Sequence, residues 1–263
     1  MPYQHLALEQ HGYTKLIKIV RPARANSITY EVLVELEACA HSLRDEVDTR
    51  VVIFTGEGRH FSSGADLDDI GSYPGEGPLV LARRRMQAGG RAIRALQDID
   101  QITIAAWNGA AMGGGACIPT ALDFRIGAQD CFMQYPEVDL GVNLMWQSLP
   151  LITHLVGPAR AKRLVAGGER VHAPTLLEWG VLDDMVPSSE LLPRAFAFAE
   201  IYANKPPIAV QMIKQSVNRI VSALDQSIMH MDADQNLFTR TTSDHPEATS
   251  AYRDKRKPAF KGN

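Results

Sequence analysis

The chain has 263 residues, 45% of them hydrophobic and 22% charged, the balance of a folded globular protein long enough for one large core. Its net charge of −3 creates no field that would gather nucleic acid or an anionic membrane, and "RDKRKPAFK" near the end is a dense basic run. Three cysteines (Cys39, Cys117, Cys131) without metal-type spacing argue against a disulfide framework or a metal site, and fit a reducing, cytoplasmic setting; the first ten residues carry no targeting pattern.

In chain order, "HLALEQ" and "TKLIKIV" flank His11-Gly12 and read as a β-hairpin. Ser27-Ile28-Thr29 offers hydroxyl caps to a helix in which Val32, Leu33, Leu36, Ala40 and Leu43 fall at helical spacing. "RVVIFTG" reads as a buried strand, Leu79 to Gln97 as a helix and "QITIAAW" as the next strand. The uncharged stretch Gln101 to Leu122 mimics a membrane span, but Asn108, three glycines and Pro119 interrupt it, so a buried strand–turn–helix unit is the better reading. "DFRIGA" and "CFMQYPEV" follow as strands, and from Trp146 onward nearly everything reads as helix. Alternation in the first half and helices in the second make an α/β protein with a helical C-terminal region.

Phosphate-loop, dinucleotide, zinc-protease and nucleophile-elbow motifs are absent, and the eight histidines are scattered, with His60 and His154 only minor candidates. Two glycine turns stand out instead. "GRHFSSGADLDDI" and "NGAAMGGGACIPT" each follow an apolar strand and each precede an expected helix. Such turns leave backbone N–H groups unpaired where a helix dipole favours negative charge, so two of them facing one another can hold a developing oxyanion. Tight helix–strand packing explains either turn taken alone. Three adjacent glycines, Gly113 to Gly115, cost backbone entropy and imply a close approach to that main chain.

Together "RPARANSI" (21–28), "HFSSGADLDDI" (60–70), "AAWNGAAMGGGACIP" (105–119), "DFRIGA", "YPEVDLG" (135–141) and "YRDKRKPAFK" (252–261) resemble the crotonase, or enoyl-CoA hydratase/isomerase, superfamily, in its order and spacing across nearly the whole chain. The resemblance implies a spiral of ββα repeats over 1–200 carrying the oxyanion and CoA site. It also implies a helical region over 201–263 that builds homotrimers or hexamers. The substrate implied is an acyl-CoA, with coenzyme A as part of the thioester, no tightly bound cofactor and no metal. Carried onto this chain, the oxyanion donors are the N–H groups of Ala65 and Gly114. The CoA contacts are Arg24, Ala25, Ala65, Asp66, Leu67 and a neighbouring subunit's Tyr252 and Lys255. Asp68 stands where some relatives carry lysine, and a solvated terminal helix face explains "DKRK" equally well.

Hydratases of the family hold water between two glutamates. Here the first position is Cys117 and the second Glu137, and the glycine-rich turn that should follow is "LMWQS", which puts Met145 and Trp146 along the acyl pocket. A thiol does not replace a carboxylate as a water-orienting acceptor at neutral pH. One carboxylate beside an enolate suits an isomerase that moves a proton from the α- to the γ-carbon. Asp139, two residues on, would face the same side as Glu137 on an extended segment and could raise its pKa; a solvated or capping role is the plainer account. Three alternatives stay open: a hydratase with a rebuilt water site, decarboxylation or hydrolysis on the same scaffold, and a non-catalytic acyl-CoA-binding subunit. Loop 71–79, "GSYPGEGPL", is expected to border the acyl pocket.

Overall fold

A computed structural model describes residues 3–66, 68–69 and 78–263. The expected hairpin forms from β1 (Leu6–His11) and β2 (Thr14–Ile19), paired antiparallel with His11 opposite Thr14. Helix α1 (Tyr30–Ser42) starts at Thr29, whose hydroxyl accepts from Val32 N–H, and buries Val32, Leu33, Leu36, Cys39 and Ala40 on one side. It returns the chain to β3 (Val51–Gly56), parallel to β2. Strands β3 and β4 (Ile102–Trp107) are buried at every residue, as strands covered on both faces must be, and that is why they read as unbroken apolar runs.

The main sheet has the order β1-β2-β3-β4-β6-β9, with β6 at Phe124–Ala128 and β9 at Asp184–Val186. A second sheet joins β5 (Ala110–Met112), β7 (Phe132–Gln134) and β8 (Val171–His172). The repeat is therefore a main-sheet strand, a small-sheet strand and a helix: β4, β5 and α4 (Gly114–Thr120), then β6, β7 and, after a 3-10 turn at Val138–Leu140, α5 (Ser148–Val165). Single bridges extend the small sheet, pairing Ser62 with Ala111 and Ile28 with Ala65. This layer puts the two glycine turns on neighbouring rungs.

Two departures from expectation appear among the described residues. The helix expected over Leu79–Gln97 is two, α2 (Leu79–Met86) and α3 (Ala88–Gln97), meeting at Gln87. The region after Trp146 is not all helix, because β8 and β9 interrupt it around α6 (Ala173–Glu178). Most of the segment expected to become a helix after the first glycine turn lies outside the described residues.

On the main sheet lies α7 (Leu191–Ala203), whose face Leu191, Ala195, Ala199, Ala203 is small enough for close approach. The C-terminal helices are α8 (Pro207–Val221), α9 (Gln226–Met229), α10 (Asp232–Arg240) and α11 (Asp244–Arg253). Lys214 of α8 is buried, donates to Gln101 O at 2.7 Å and pairs with Asp123 at 2.7 Å, pinning that helix to the sheet end. Helices α10 and α11 turn back onto the segment that follows Glu137: Asn236 donates to Asn143 O at 2.7 Å, and His245 Nδ1 lies 2.7 Å from Leu140 O. Among the described residues no helix is long and apolar enough to cross a membrane.

Candidate active site

The site is built on main chain. Ser62 N–H donates to Ala110 O (3.0 Å) and Met112 N–H donates back to Ser62 O (3.0 Å), so the two turns are hydrogen-bonded to each other. Ile28 N–H donates to Gly64 O and Asp66 N–H to Ile28 O, both at 2.8 Å, which leaves Ala65 between them with its own N–H outside these pairs. Gly64 adopts φ +92°, and a Cβ there would meet Met112 O at 2.5 Å and lie 3.7 Å from Gly114 N. The N–H groups of Ala65 and Gly114 donate to no group among the described residues.

Segment 21–28 supports the first turn from beneath. Ser63 N–H donates to Ala25 O at 2.9 Å, Ser62 Oγ to Asn26 O at 2.7 Å, and the Asn26 amide to Glu57 O and His60 O. Ala25 and Asn26 both take positive φ, a conformation Asn tolerates better than most side chains.

A cavity of about 260 Å3 opens over these turns. Ala65, Gly114, Cys117, Glu137, Met145 and Trp146 all line it, as do Asp139 and this chain's own Tyr252. Glu137 closes the chain into the 3-10 turn, accepting through its carbonyl from Leu140 and Val142 N–H at 3.0 Å each. Its carboxylate oxygen Oε2 is buried without a hydrogen-bond partner among the described residues, and burial pushes its pKa up to about 7. Cys117 is 1% exposed, its Sγ 3.4 Å from Gly113 O. Burial, and secondarily the charge of Glu137, raises the thiol well above its ordinary range, so position 117 presents a protonated thiol.

The three glycines have three different neighbours. A Cβ on Gly113 (φ +49°) would press on Glu137 Oε1 at 2.7 Å, and one on Gly115 on Ser62 O at 2.6 Å. A Cβ on Gly114 would occupy the Trp146 ring. The groups that approach these glycines include the chain's own carboxylate, indole and facing turn.

The sequence pattern of the enoyl-CoA hydratase/isomerase family matches residues 10–263. The chain belongs to that family. A crotonyl-CoA hydratase of Syntrophomonas wolfei is 28% identical over 261 residues, 99% of either chain. A probable enoyl-CoA hydratase of Mycobacterium bovis is 30% identical over 266 residues, spanning 97% of this chain and 92% of its own. Among solved structures, an enoyl-CoA hydratase from Mycobacterium avium subsp. paratuberculosis shares the fold, with a TM-score of 0.87 at 22% identity over 99% of this chain and all of that one. A monofunctional enoyl-CoA isomerase from M. smegmatis overlays at 0.71 with 28% identity, over 83% of this chain and 94% of its own. The protein is thus an enzyme of the enoyl-CoA hydratase/isomerase family acting on acyl-CoA.

In this hydratase/isomerase the residues expected to hold CoA divide. Asp66 is buried, and although burial pushes its carboxyl up, hydrogen bonds from Ser27 (2.9 Å) and Arg21 (3.2 Å) outweigh that and hold it low. Arg24 pairs with Asp66 at 3.3 Å and Asp68 at 2.7 Å, so its charge is already matched within the turn. The Asp66 carboxylate thereby braces the turn from within. Leu67 and residues 71–77 of the acyl-pocket loop lie outside the described residues. Lys255 is exposed and lines no part of the cavity, and Tyr252, expected to serve a neighbouring subunit, lines its own chain's cavity.

Asp139 also departs from the extended geometry expected of it. It sits in the 3-10 turn, donates its N–H to Pro136 O at 3.0 Å, and has its carboxylate against Gly168. The high pKa of Glu137 comes from burial and owes nothing to Asp139. His60 accepts from Ala110 N–H at 3.2 Å and His154 pairs with Asp225 at 2.9 Å, so both are structural. Sequence reasoning missed Arg170, Asn236 and Arg240, which the fold brings to the cavity from distant segments without any motif. It also passed over Gly89-Gly90 inside α3, a helix-weakening pair that marks a close contact.

Proposed function

We propose that this enzyme shifts a double bond in an enoyl-CoA through a thioester enolate, with the N–H groups of Ala65 and Gly114 as the oxyanion donors and Glu137 as the proton carrier. The carrying observation is a buried carboxylate oxygen without a partner, poised near pH 7, facing a cavity where the position of a second carboxylate holds a protonated thiol. Glu137 takes a proton from the α-carbon of a 3-enoyl thioester, and the C–H electron pair moves into the C=O to give a dienolate. The two N–H groups stabilise the oxyanion; removing one such donor costs about 3 kcal/mol in known cases. Glu137, now a carboxylic acid, returns the proton to the γ-carbon, leaving the double bond between the α- and β-carbons. A pKa near 7 suits a group that must be base and acid in one turnover.

Met145 and Trp146 form the acyl side of the cavity, and main chain at Arg24–Ala25 and Ala65–Asp66, with Tyr252, flanks the CoA. Residues 1–200 are the catalytic core, and 201–263 roof the site and join subunits. Activity on 3-enoyl-CoA and its loss in Glu137→Gln test this reading: at least a 100-fold drop, on the order of what general acid–base transfer contributes, is expected. A variant that retains the wild-type rate removes Glu137 from the mechanism. Hydration is the second reading, favoured by Asp139 lining the same cavity as Glu137.

A further inference from the structure

The Trp146 ring fills a slot with no Cβ on either face. A Cβ on Gly89 of α3 would overlap its pyrrole edge, and one on Gly114 would overlap its benzo edge. The residue is only 4% exposed. Its backbone takes φ +65° and that of Gln147 +58°, two successive left-handed residues that only a determined environment maintains. That environment is visible: Gln147 N–H donates to Asp232 Oδ2 of α10 at 2.5 Å, and Ser148 Oγ donates to Trp146 O at 3.2 Å. Behind the ring lies a second cavity of about 210 Å3, walled by polar groups that include Arg94, Gln147, His230 and Asp232. Among the described residues, Trp146 alone lines both this cavity and the reaction cavity.

We infer that Trp146 is the specificity-determining end wall of the acyl site and restricts this enzyme to short acyl groups. The inference rests on the enolate reading, which puts the thioester carbonyl at Gly114. With the carbonyl there, the indole stands directly beside the reacting carbons. An acyl chain that grows in that direction meets the ring after a few carbons, and the space beyond is polar. Asp232 is a positioning residue, because it fixes the backbone from which the ring projects.

The test is a chain-length profile of kcat/KM on butenoyl-, hexenoyl-, octenoyl- and decenoyl-CoA, as 2- and 3-enoyl isomers, for the wild type, Trp146→Ala, Trp146→Phe and Glu137→Gln. The wild type should prefer butenoyl- over octenoyl-CoA by at least about tenfold, the scale at which a pocket rejects extra methylene groups. Trp146→Ala should raise the octenoyl/butenoyl ratio by about tenfold or more. Trp146→Phe keeps a ring in the slot and so guards against a folding failure; it should move the ratio the same way by a smaller factor. A flat wild-type profile, or a ratio unmoved in folded Trp146 variants, overturns the end-wall role while leaving the enolate reading intact. Wild-type turnover by Glu137→Gln overturns the enolate reading, and this inference with it.

Discussion

Glu137, the proposed proton carrier, also sets a pH dependence of stability. Its ordinary pKa of 4.5 rises to about 7 in the fold because the carboxylate is buried. Between those values the folded chain holds a proton that the unfolded chain has lost, so stability falls as pH rises through that window, by an amount on the order of 3 kcal/mol. Below about pH 4.5 the penalty is absent, and above about pH 7 it is complete. Glu137→Gln carries no such titration. Thermal melts should therefore show the variant gaining on the wild type as the pH rises from about 5.5 to about 8.5, by several degrees for a chain of this size. A constant difference across that range would mean that the carboxylate is solvated in the folded protein. The protonated thiol at Cys117, behind the same cavity, adds no second charge to this balance.

At the level of elements, the glycine turns are where sequence and structure inform each other most. The hairpin, the Thr29-capped helix and the apolar strands β3 and β4 were legible because each carries a local signal: a turn dipeptide, a hydroxyl cap or an unbroken apolar run. Strands β5, β8 and β9 are two or three residues long, too short for any period to register, and only their partners make them strands. The glycine triplet announced a close approach, but not which groups approach, because Glu137, Trp146 and Ser62 arrive from other turns of the spiral. The role of Gly89 was invisible for the same reason. The two turns stood out by their own glycine pattern, and the resemblance to a known family pointed to Glu137; no local pattern revealed Arg170, Asn236 or Arg240. Gly113 gives the element-scale prediction. An alanine there must take φ +49° and crowd Glu137 Oε1, so Gly113→Ala should lose about 1–3 kcal/mol of stability and most of the activity. An active, fully stable Gly113→Ala would show that the turn is not tightly built around Glu137.

For the molecule as a whole, the C-terminal helices carry an apolar surface that a monomer has no use for. On α8 and just beyond it Ile208, Ile220 and Leu224 are 72%, 77% and 81% exposed, and Met212, Ile213 and Val217 are exposed beside them. The total accessible surface, 12970 Å2, exceeds the roughly 11,400 Å2 expected of a monomer of this mass. Both observations support assembly through this region, as the trimer or hexamer expected from the sequence would require. Sedimentation should find a closed oligomer at micromolar concentration, and Ile220→Asp should lower its mass. A monomeric wild type would contradict this use of α8. Because α10 and α11 roof the cavity, loss of assembly should also weaken substrate binding.

In the proposed reaction one buried carboxylate carries a proton between two carbons without adding water. Turnover of 3-enoyl-CoA in oxygen-18 water tests this most directly, with wild type and Glu137→Gln compared by mass spectrometry of the product. The account predicts 2-enoyl-CoA free of the label, formed at least about 100-fold more slowly by the variant. Labelled 3-hydroxyacyl-CoA, produced at a rate that the substitution leaves unchanged, would contradict it.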